Sequence, residues 1–311
     1  MELDVVSVGE PMVLFSAQQT GALEDVASFV RSTAGAELNV ATGLARLGLR
    51  VAYVSRLGAD AFGRHLLAFM DREHIDRRHV ALDPQHPTGF MLKSLTADGS
   101  DPQIEYFRRG SAASRLGPAD HPLAACAASR HLHLTGICPA VSDSARELVF
   151  EMAVAARAGG RSVSFDPNLR PRLWPSEAAM RECLNRLAIG SDWFLPGLSE
   201  ARLLTELDTP DAIADFYLAR GVAAVVIKLG AAGAFFASAQ GRATAAGRVV
   251  ARVVDTVGAG DGFAVGVISG LLEGLSLPDA VARGNVIGAR VVQFPGDCDG
   301  LPDRAQLAAF R

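Results

Sequence analysis

The chain has 311 residues, a formal net charge of −4 and an isoelectric point near 6.0, so it carries no general basic field and nucleic acid is not an expected partner. No apolar run approaches the roughly 20 residues of a membrane-spanning helix, which excludes a membrane partner at this stage. Four widely spaced cysteines with no CxxC pair favour buried thiols in a reduced cytoplasm and disfavour a zinc site.

Strands and helices alternate in the first quarter of the chain. The N-terminus carries acids and enters a β-branched strand at 4–9 at once, which is unlike a signal peptide. Short strands are predicted at 12–16 and 29–33. A helix is predicted within 34–48, a strand at 51–55 and a second helix after it. This order indicates a parallel sheet with crossover helices.

The pattern changes between residues 88 and 110. Two short strands flank a polar turn at 97–101 and are typical of a hairpin. With the strands in 12–33, this hairpin is expected to form a small sheet that lies as a lid over one edge of a single domain spanning 1–311. The exposed face of such a sheet often needs covering, so we expect a homo-oligomer, a dimer or larger.

The alternation then resumes and continues to the C-terminal region without an internal repeat. Strands are predicted at 131–135, 162–166, 192–195, 223–228, 234–237, 241–245 and 248–254. Helices are predicted at 142–158, 175–189, 199–205, 210–220, 261–273 and, as the last one, 278–294. The predicted fold is an α/β doubly wound, mostly parallel sheet flanked by helices, with a small β-sheet lid.

The stretch VVDTVGAGDGFAVGVISGLLE (253–273) carries the clearest chemistry. A strand, a glycine turn and a buried apolar helix leave unpaired N–H groups at the positive end of a helix dipole, where phosphate binds well. Asp261 lies at the mouth of this turn, and we hypothesise that it helps a substrate hydroxyl attack a phosphate. The helix N-terminus is expected to lower its pKa, so Asp261 would orient the hydroxyl and take the proton late.

Several predicted strands end in polar or glycine residues, namely at 9–10, 166–168, 228–230 and 255–256. Ligands of open parallel sheets bind beyond the carboxyl ends of the strands, although ordinary turn chemistry remains open for each one singly. No P-loop sequence occurs, and Phe263 breaks the dinucleotide pattern GxGxxG, which disfavours a nicotinamide site.

Together these motifs resemble those of the PfkB, or ribokinase-like, carbohydrate kinases. The C-terminal family signature is similar to DTVGAGDGFAVG (255–266). The N-terminal signature is similar to AGAELNVATGLARLG (34–48), continued by RLGADAFG (56–63). The nucleotide loop of the family is similar to KLGAAGA (228–234). Members that act on a keto-deoxy sugar acid resemble this chain further at 9–16, 105–114 and 295–302. The motifs follow family order over almost the whole chain.

The resemblance implies a kinase that uses ATP and Mg²⁺, with Asp261 as the catalytic base. It implies an ATP site made of Lys228, Gly230, Gly233, Gly258, Ala259, Gly260 and Asn285. Magnesium is expected to arrive with ATP and to keep most of its waters. A monovalent cation such as K⁺ is implied near Asp255.

The implied sugar site consists of Gly35, Asn39, Tyr106, Arg108, Arg170 and Asp297. Tyr106 and Arg108 stand two residues apart on a predicted strand and therefore share a face. Arg108 and Arg170 suit a sugar acid, because guanidinium binds carboxylate in a bidentate fork. A kinase for a neutral sugar such as fructose or ribose, and a sugar-binding homologue without catalysis, remain alternatives.

Two positions depart from the family pattern. Ala34 replaces the first glycine of the N-terminal signature, which is tolerable where φ is negative. Gly197 replaces an asparagine that many members carry, so no side-chain amide is expected to help hold Mg²⁺ there, although Glu200 could act through water. His131 and His133 alternate on one strand face and favour packing over metal binding.

Overall fold

The computed structural model describes residues 3–96, 102–120, 123–127 and 129–310, so the predicted turn at 97–101 lies outside it. The strands are β1 Leu3–Val8, β2 Met12–Thr20, β3 Phe29–Ala34, β4 Val51–Gly58, β5 Asp76–Asp83, β6 Phe90–Leu95, β7 Ile104–Phe107, β8 Ser129–Thr135, β9 Ser162–Asp166, β10 Trp193–Phe194, β11 Ala224–Lys228, β12 Gly233–Ser238 and β13 Gly241–Ala246. The helices are α1 Ala36–Arg46, α2 Ala61–Arg72, α3 Leu123–Ala127, α4 Cys138–Val141, α5 Asp143–Ala158, α6 Glu177–Ile189, α7 Leu198–Thr205, α8 Pro210–Leu218, α9 Ala259–Leu272, α10 Leu277–Val291 and α11 Arg304–Ala309.

The larger sheet orders its strands β13-β12-β11-β10-β9-β8-β1-β4-β5 within the described part of the chain. The pairs from β11 through β1 to β5 are parallel, and β12 and β13 add an antiparallel edge. Central β1 reads LDVVSV and is buried throughout, as a strand covered on both faces must be. The predicted doubly wound α/β fold is confirmed.

Helices cover both faces of this sheet with apolar side chains. One core layer contains Leu148 and Met152 of α5 with Tyr217 of α8. The opposite layer contains Leu44 of α1 and Val265 of α9, among others. None of the described helices is long and apolar enough to cross a lipid bilayer.

A smaller sheet is separate from the main one and has the order β3-β2-β6-β7. Strands β2 and β6 are parallel, while β3 and β7 pair antiparallel with them. Phe15, Phe90 and Phe107 lie on one face of the sheet, and Phe15 and Phe90 pack edge-on against Phe62 of α2. This contact holds the smaller sheet against the main body.

The structure differs from the predicted secondary structure in several places. Residues 248–254 form no strand: Val249 is fully exposed, and Val250 and Val253 line a cavity. Strand β5 was missed because its first residues, DRR, are charged, a composition that suits the edge strand it forms. The helix predicted last ends at Val291, and α11 follows it.

Candidate active site

A glycine with positive φ begins the helix of the phosphate motif. Gly258 is the N-cap of α9 with φ +82°, and a Cβ there would lie 2.6 Å from the carbonyl oxygen of Asp297. Only glycine meets both requirements. Just ahead of it, the N–H of Val257 donates to Asp255 Oδ1 at 3.0 Å and shapes the turn. The first N–H groups of α9 lack partners within the helix and point to where an anion binds.

Two cavities adjoin this helix end. The first has a volume of about 330 Å³ and is bordered by the smaller sheet through Met12, Met91 and Ile104. It is lined by every residue that the sequence suggested for the sugar, together with the suggested base: Gly35, Asn39, Tyr106, Arg108, Arg170, Asp297 and Asp261. Residues from both ends of the chain therefore meet at one site.

The second cavity, of about 400 Å³, is mostly apolar and receives Val250 and Val253 from the irregular segment before α9. Its lining includes the suggested nucleotide residues Lys228, Gly230, Gly233, Ala259, Gly260 and Asn285, whereas Gly258 lines the first cavity. Lys228 and Gly260 line both cavities. The helix N-terminus therefore stands at the junction of the two.

Asp261 is buried in the first turn of α9 and is not the N-cap, because Gly258 takes that position. The side chain of Asn39 donates to Asp261 Oδ2 at 2.7 Å. Burial raises the pKa of Asp261 to about 8; the hydrogen bond from Asn39 opposes this rise, and the negative charge of Asp166 adds to it. The expected lowering by the helix dipole is wrong, because loss of solvation outweighs the dipole.

Lys228 connects the end of β11 with the end of β9. Its Nζ lies 2.5 Å from Asp166 Oδ2, with both side chains largely buried. Burial lowers the pKa of Lys228, but the carboxylates of Asp166 and Glu200 outweigh it and raise the pKa above the ordinary value. A charged ammonium is therefore held at the junction of the cavities, where an anionic group would pass.

Arg108, which the sequence suggested as a cation for a sugar acid, forms an ion pair with a carboxylate of the protein. Its Nε donates to Glu10 Oε2 at 2.6 Å, and Ser111 Oγ donates to the other oxygen of Glu10 at 2.6 Å. Strand β7 ends one residue before Arg108, so the side chain reaches the cavity from a loop. Its Nη2 is buried and also contacts the Glu10 carboxylate, so the ion pair fixes the guanidinium in place.

Arg170 keeps its charge available to the cavity. Its Nη1 donates to the carbonyl oxygen of Leu169 at 2.9 Å, and it forms no ion pair with any carboxylate in the described ranges. The two suggested arginines thus differ: one is neutralised by Glu10, and the other is not.

Two asparagines that the sequence suggested for ligands are bonded within the protein. Asn39 donates to Asp261 and accepts from Cys298 Sγ at 3.0 Å. Asn285 donates to the carbonyl oxygens of Ala245 and Ala246 at 3.1 Å each and ties α10 to β13. Both side chains line their cavities, but their amide groups donate hydrogen bonds to the protein: Asn39 orients the Asp261 carboxylate, and Asn285 holds the end of β13.

The acids at Asp255 and Asp297 share one buried lysine, which sequence reasoning missed. Lys93 Nζ contacts Asp255 Oδ2 closely and lies 3.3 Å from Asp297 Oδ1. Lys93 lies on β6 two residues after Met91, on the face of the smaller sheet that turns inward. Because side chains alternate between the two faces of a strand, Lys93 could have been placed on the same face as Met91. A lysine in such a strand, however, is typical of a solvent-facing position.

The departures from the family pattern have simple structural outcomes. The positive φ of the N-terminal signature is at Gly35 (+132°), and Ala34 avoids it. Glu200 accepts from the N–H of Gly197 at 2.7 Å and from the N–H of Leu169 at 2.8 Å, so it joins two loops while lining the first cavity.

The two histidines of β8 are buried and bonded to serines of the neighbouring strand. His131 contacts Ser162 and Ser164 at 2.8 Å each, and His133 contacts Ser164 at 2.9 Å. Burial lowers the pKa of both imidazoles. These residues therefore pack within the sheet as neutral side chains.

The arrangement supports phosphoryl transfer between two bound molecules. A carboxyl group with a raised pKa lies in one cavity, and a cation and the N-terminus of a helix lie at the junction of the two cavities. Positioning and charge stabilisation of this kind are what phosphoryl transfer requires.

Comparisons with known proteins agree with this geometry. The model of the pfkB family carbohydrate kinases matches residues 2–304. The 2-dehydro-3-deoxygluconokinase of Bacillus subtilis (strain 168) is 49% identical over 311 residues, which cover 100% of this chain and 96% of the relative.

Solved structures show the same fold. A PfkB protein from Polaromonas sp. JS666 superposes with a TM-score of 0.92 at 51% identity and covers 99% of both chains. A fructokinase double mutant from Vibrio cholerae O395, solved with fructose, ADP and potassium ion, superposes with a TM-score of 0.87 at 26% identity, over 99% of this chain and 98% of that one. The chain therefore belongs to the pfkB family of carbohydrate kinases, phosphotransferases whose acceptor is an alcohol group.

Proposed function

We propose that this kinase transfers the terminal phosphoryl group of ATP to a hydroxyl of 2-dehydro-3-deoxygluconate, also called 2-keto-3-deoxygluconate. The observation that carries the substrate assignment is Arg170, a guanidinium that lines the first cavity and has no carboxylate partner among the described residues. The likeness to the kinase of that name from Bacillus subtilis supports the same substrate.

The proposed reaction uses the two cavities for two substrates. The sugar lies in the first cavity beside Asp261, and ATP lies in the second with its phosphates toward Gly258 and Gly260. The sugar oxygen forms a bond to the terminal phosphorus while the bond from that phosphorus to the bridging oxygen of ADP breaks. The hydroxyl proton goes to the carboxylate of Asp261.

The surroundings of Asp261 suit this role. A carboxyl group whose pKa is near 8 holds a proton far better than an ordinary aspartate, so it is an effective acceptor once ionised. Asn39 fixes the carboxylate orientation through the 2.7 Å hydrogen bond. Lys228 and the N–H groups at the start of α9 would stabilise charge on the phosphoryl group in transit.

Magnesium would enter with ATP and neutralise phosphate charge. Asp166 and Glu200 line the first cavity next to Lys228 and are the carboxylates that would accept hydrogen bonds from its waters. Both oxygens of Glu200 already accept from backbone N–H groups, which fixes the position of the carboxylate.

The alternatives receive less support from the site. A neutral sugar such as fructose or ribose offers no partner for the charge of Arg170. A binding protein without catalysis has no use for the buried, basic carboxylate of Asp261 beside the helix N-terminus.

A homo-oligomer stays a prediction, which exposed apolar side chains on the smaller sheet favour: Val30, Leu95, Tyr106 and Phe107. A cytoplasmic location also stays a prediction, supported by four buried cysteines that carry free thiols.

The deciding experiment is a coupled assay of ADP release with MgATP across a panel of sugars. We expect turnover with 2-dehydro-3-deoxygluconate at least about 100-fold above that with fructose or ribose. Two charge-assisted hydrogen bonds to the carboxylate contribute a free energy that corresponds to about this ratio. Turnover of the neutral sugars with none on the keto acid would contradict the substrate assignment. No turnover with any sugar would contradict the catalytic assignment.

A further inference from the structure

A buried lysine from the smaller sheet stands where the site would otherwise have two unneutralised acids. The side chain of Lys93 is 6% exposed, and those of Asp255 and Asp297 are 10% and 4% exposed. Asp255 precedes the phosphate loop, Asp297 follows α10, and Lys93 reaches both from β6. One ammonium thus joins three separate segments of the chain.

The oxygens of Asp255 are both in use. Oδ1 accepts the N–H of Val257 and forms the turn that leads to Gly258, and Oδ2 contacts the Lys93 ammonium. A buried carboxylate in this position requires a cation, because an unpaired buried charge is strongly destabilising. Within the described chain, that cation is Lys93.

A monovalent ion does not fit beside this contact. K⁺ and an ammonium group have the same charge and nearly the same size, so both would need the space at Asp255 Oδ2. Two cations at one carboxylate would also repel each other in a poorly solvated site. The K⁺ implied near Asp255 by the family resemblance therefore disagrees with the residues present.

We infer that the Lys93 ammonium is a built-in replacement for a monovalent cation at Asp255, so that this kinase works without K⁺ at that position. The fructokinase of Vibrio cholerae, in contrast, was solved with a potassium ion. The inference depends on the kinase activity of the chain and not on the identity of its sugar.

The replacement has a further effect on architecture. An ion binds and leaves independently of the fold, whereas Lys93 is covalently part of β6, the strand whose Met91 borders the first cavity. The contact with Asp255 therefore ties the smaller sheet to the loop that precedes Gly258. Lys93 acts on the phosphate site as a positioning residue, through Asp255.

The first test uses the wild-type enzyme in KCl, NaCl or tetramethylammonium chloride at equal ionic strength, with the Mg²⁺ salt of ATP free of potassium. We expect kcat and the melting temperature to agree across the three salts, kcat within about twofold. Saturable activation by K⁺ of fivefold or more, or a rise in melting temperature specific to K⁺, would overturn the inference.

The second test removes the ammonium with Lys93→Met and, as a charge-balanced partner, with the double variant Lys93→Met, Asp297→Asn. The double variant loses one charge of each sign, so it leaves fewer unpaired buried carboxylates. It can therefore be measured even if the single variant folds poorly. In either variant we expect kcat to fall tenfold or more in tetramethylammonium, with partial recovery in K⁺ and a K⁺-specific rise in melting temperature.

Thallium(I), a K⁺ substitute observable by NMR, gives a readout that is independent of activity. We expect line broadening of ²⁰⁵Tl by the variants and none beyond background by the wild type. The inference is overturned if both folded variants show no cation dependence in rate, melting temperature and thallium signal, or if the wild type binds thallium as they do.

Discussion

The proposed nucleotide side and the proposed sugar side of this site are constructed by different means. On the nucleotide side the chain contributes small residues and backbone groups, of which Gly233 with its positive φ is the clearest case. On the sugar side it contributes long charged side chains that pair across the fold, such as Arg108 with Glu10. Asp261 stands between the two.

This difference explains how each side tolerates change. Backbone recognition depends on a few residues close in sequence, and a single added methyl group disturbs it. Side-chain recognition depends on pairs that are far apart in sequence, 98 residues for Glu10 and Arg108. Removing one partner leaves the other buried and charged, so binding and stability change together.

The largest expected effect is at Asp261, where the two sides meet. Asp261→Asn should lower kcat by about 10²–10⁴-fold, because the hydroxyl proton loses its acceptor. The KM for ATP should stay within a few-fold, since the loop is unchanged. Steady-state kinetics measure both, and an unchanged kcat would remove Asp261 from the catalytic role.

The same substitution should stabilise the protein in a pH-dependent way. Between pH values of about 4 and about 8, folded Asp261 keeps a proton that the unfolded chain has released, because its pKa is raised from 3.8 to about 8. The free energy of unfolding therefore falls as pH rises through this window. Asparagine avoids this loss, while its side-chain oxygen can still accept from Asn39.

The gain in melting temperature of Asp261→Asn over wild type should consequently grow between about pH 5 and about pH 8. Thermal melts at several pH values measure it. An equal difference at all pH values would mean that the carboxyl group titrates normally in the folded protein.

The next effect tests the glycine loop at the junction of the two cavities. Gly258→Ala places a Cβ 2.6 Å from the carbonyl oxygen of Asp297 at a φ of +82°, so the loop must shift. We expect kcat/KM for ATP to fall by about 10–100-fold and stability to fall by about 1–3 kcal/mol, measured by kinetics and denaturation.

Gly274→Ala is the matched control for that change. Gly274 follows the other end of α9 with a φ of +83°, and a Cβ there meets nothing within 4 Å. It should cost a similar backbone strain of about 1–2 kcal/mol with kinetics unchanged. Equal kinetic losses in the two variants would show that strain alone, and not the position at the phosphate loop, causes the defect.

The last of these effects is a contrast between the two arginines. Arg170→Ala should lower kcat/KM for the sugar acid by about 10–100-fold and leave a neutral sugar nearly unchanged, because only the acid has a partner for the lost charge. Arg108→Ala should also raise KM more for the acid, but by a smaller ratio, since Glu10 neutralises Arg108.

Arg108→Ala should in addition lower stability by about 3–5 kcal/mol through the unpaired Glu10. The double variant with Glu10→Gln is its control and should regain most of that loss. Equal discrimination between acid and neutral sugar in the Arg108 and Arg170 variants would contradict the difference drawn between them.

The sequence allowed the fold and the glycine turn at the start of α9 to be predicted, because both follow from local patterns. Alternating strands and helices indicate the sheet, and a glycine loop before an apolar helix indicates the anion site. The segment 248–254 misled the prediction, since a β-branched run that lines a cavity has the composition of a buried strand.

The sugar side was only partly predictable. The residues that line its cavity follow from the family resemblance, but Glu10 against Arg108 and Lys93 against Asp255 are contacts over 98 and 162 residues. No local pattern reports such pairing. The raised pKa of Asp261 was missed for a similar reason. The helix dipole can be inferred from the sequence, whereas the burial that raises the pKa depends on the whole fold.

The division of the site into two cavities has a consequence for how this scaffold can be altered. The cavities share Lys228 and Gly260, whereas Tyr106, Arg108 and Arg170 lie on segments separate from the glycine loop. Acceptor choice can therefore be redesigned by exchanging the smaller sheet and the loop after β9 while the donor half is left intact. The incoming sheet must carry a lysine at the position of Lys93, or a K⁺ requirement would be created along with the new specificity.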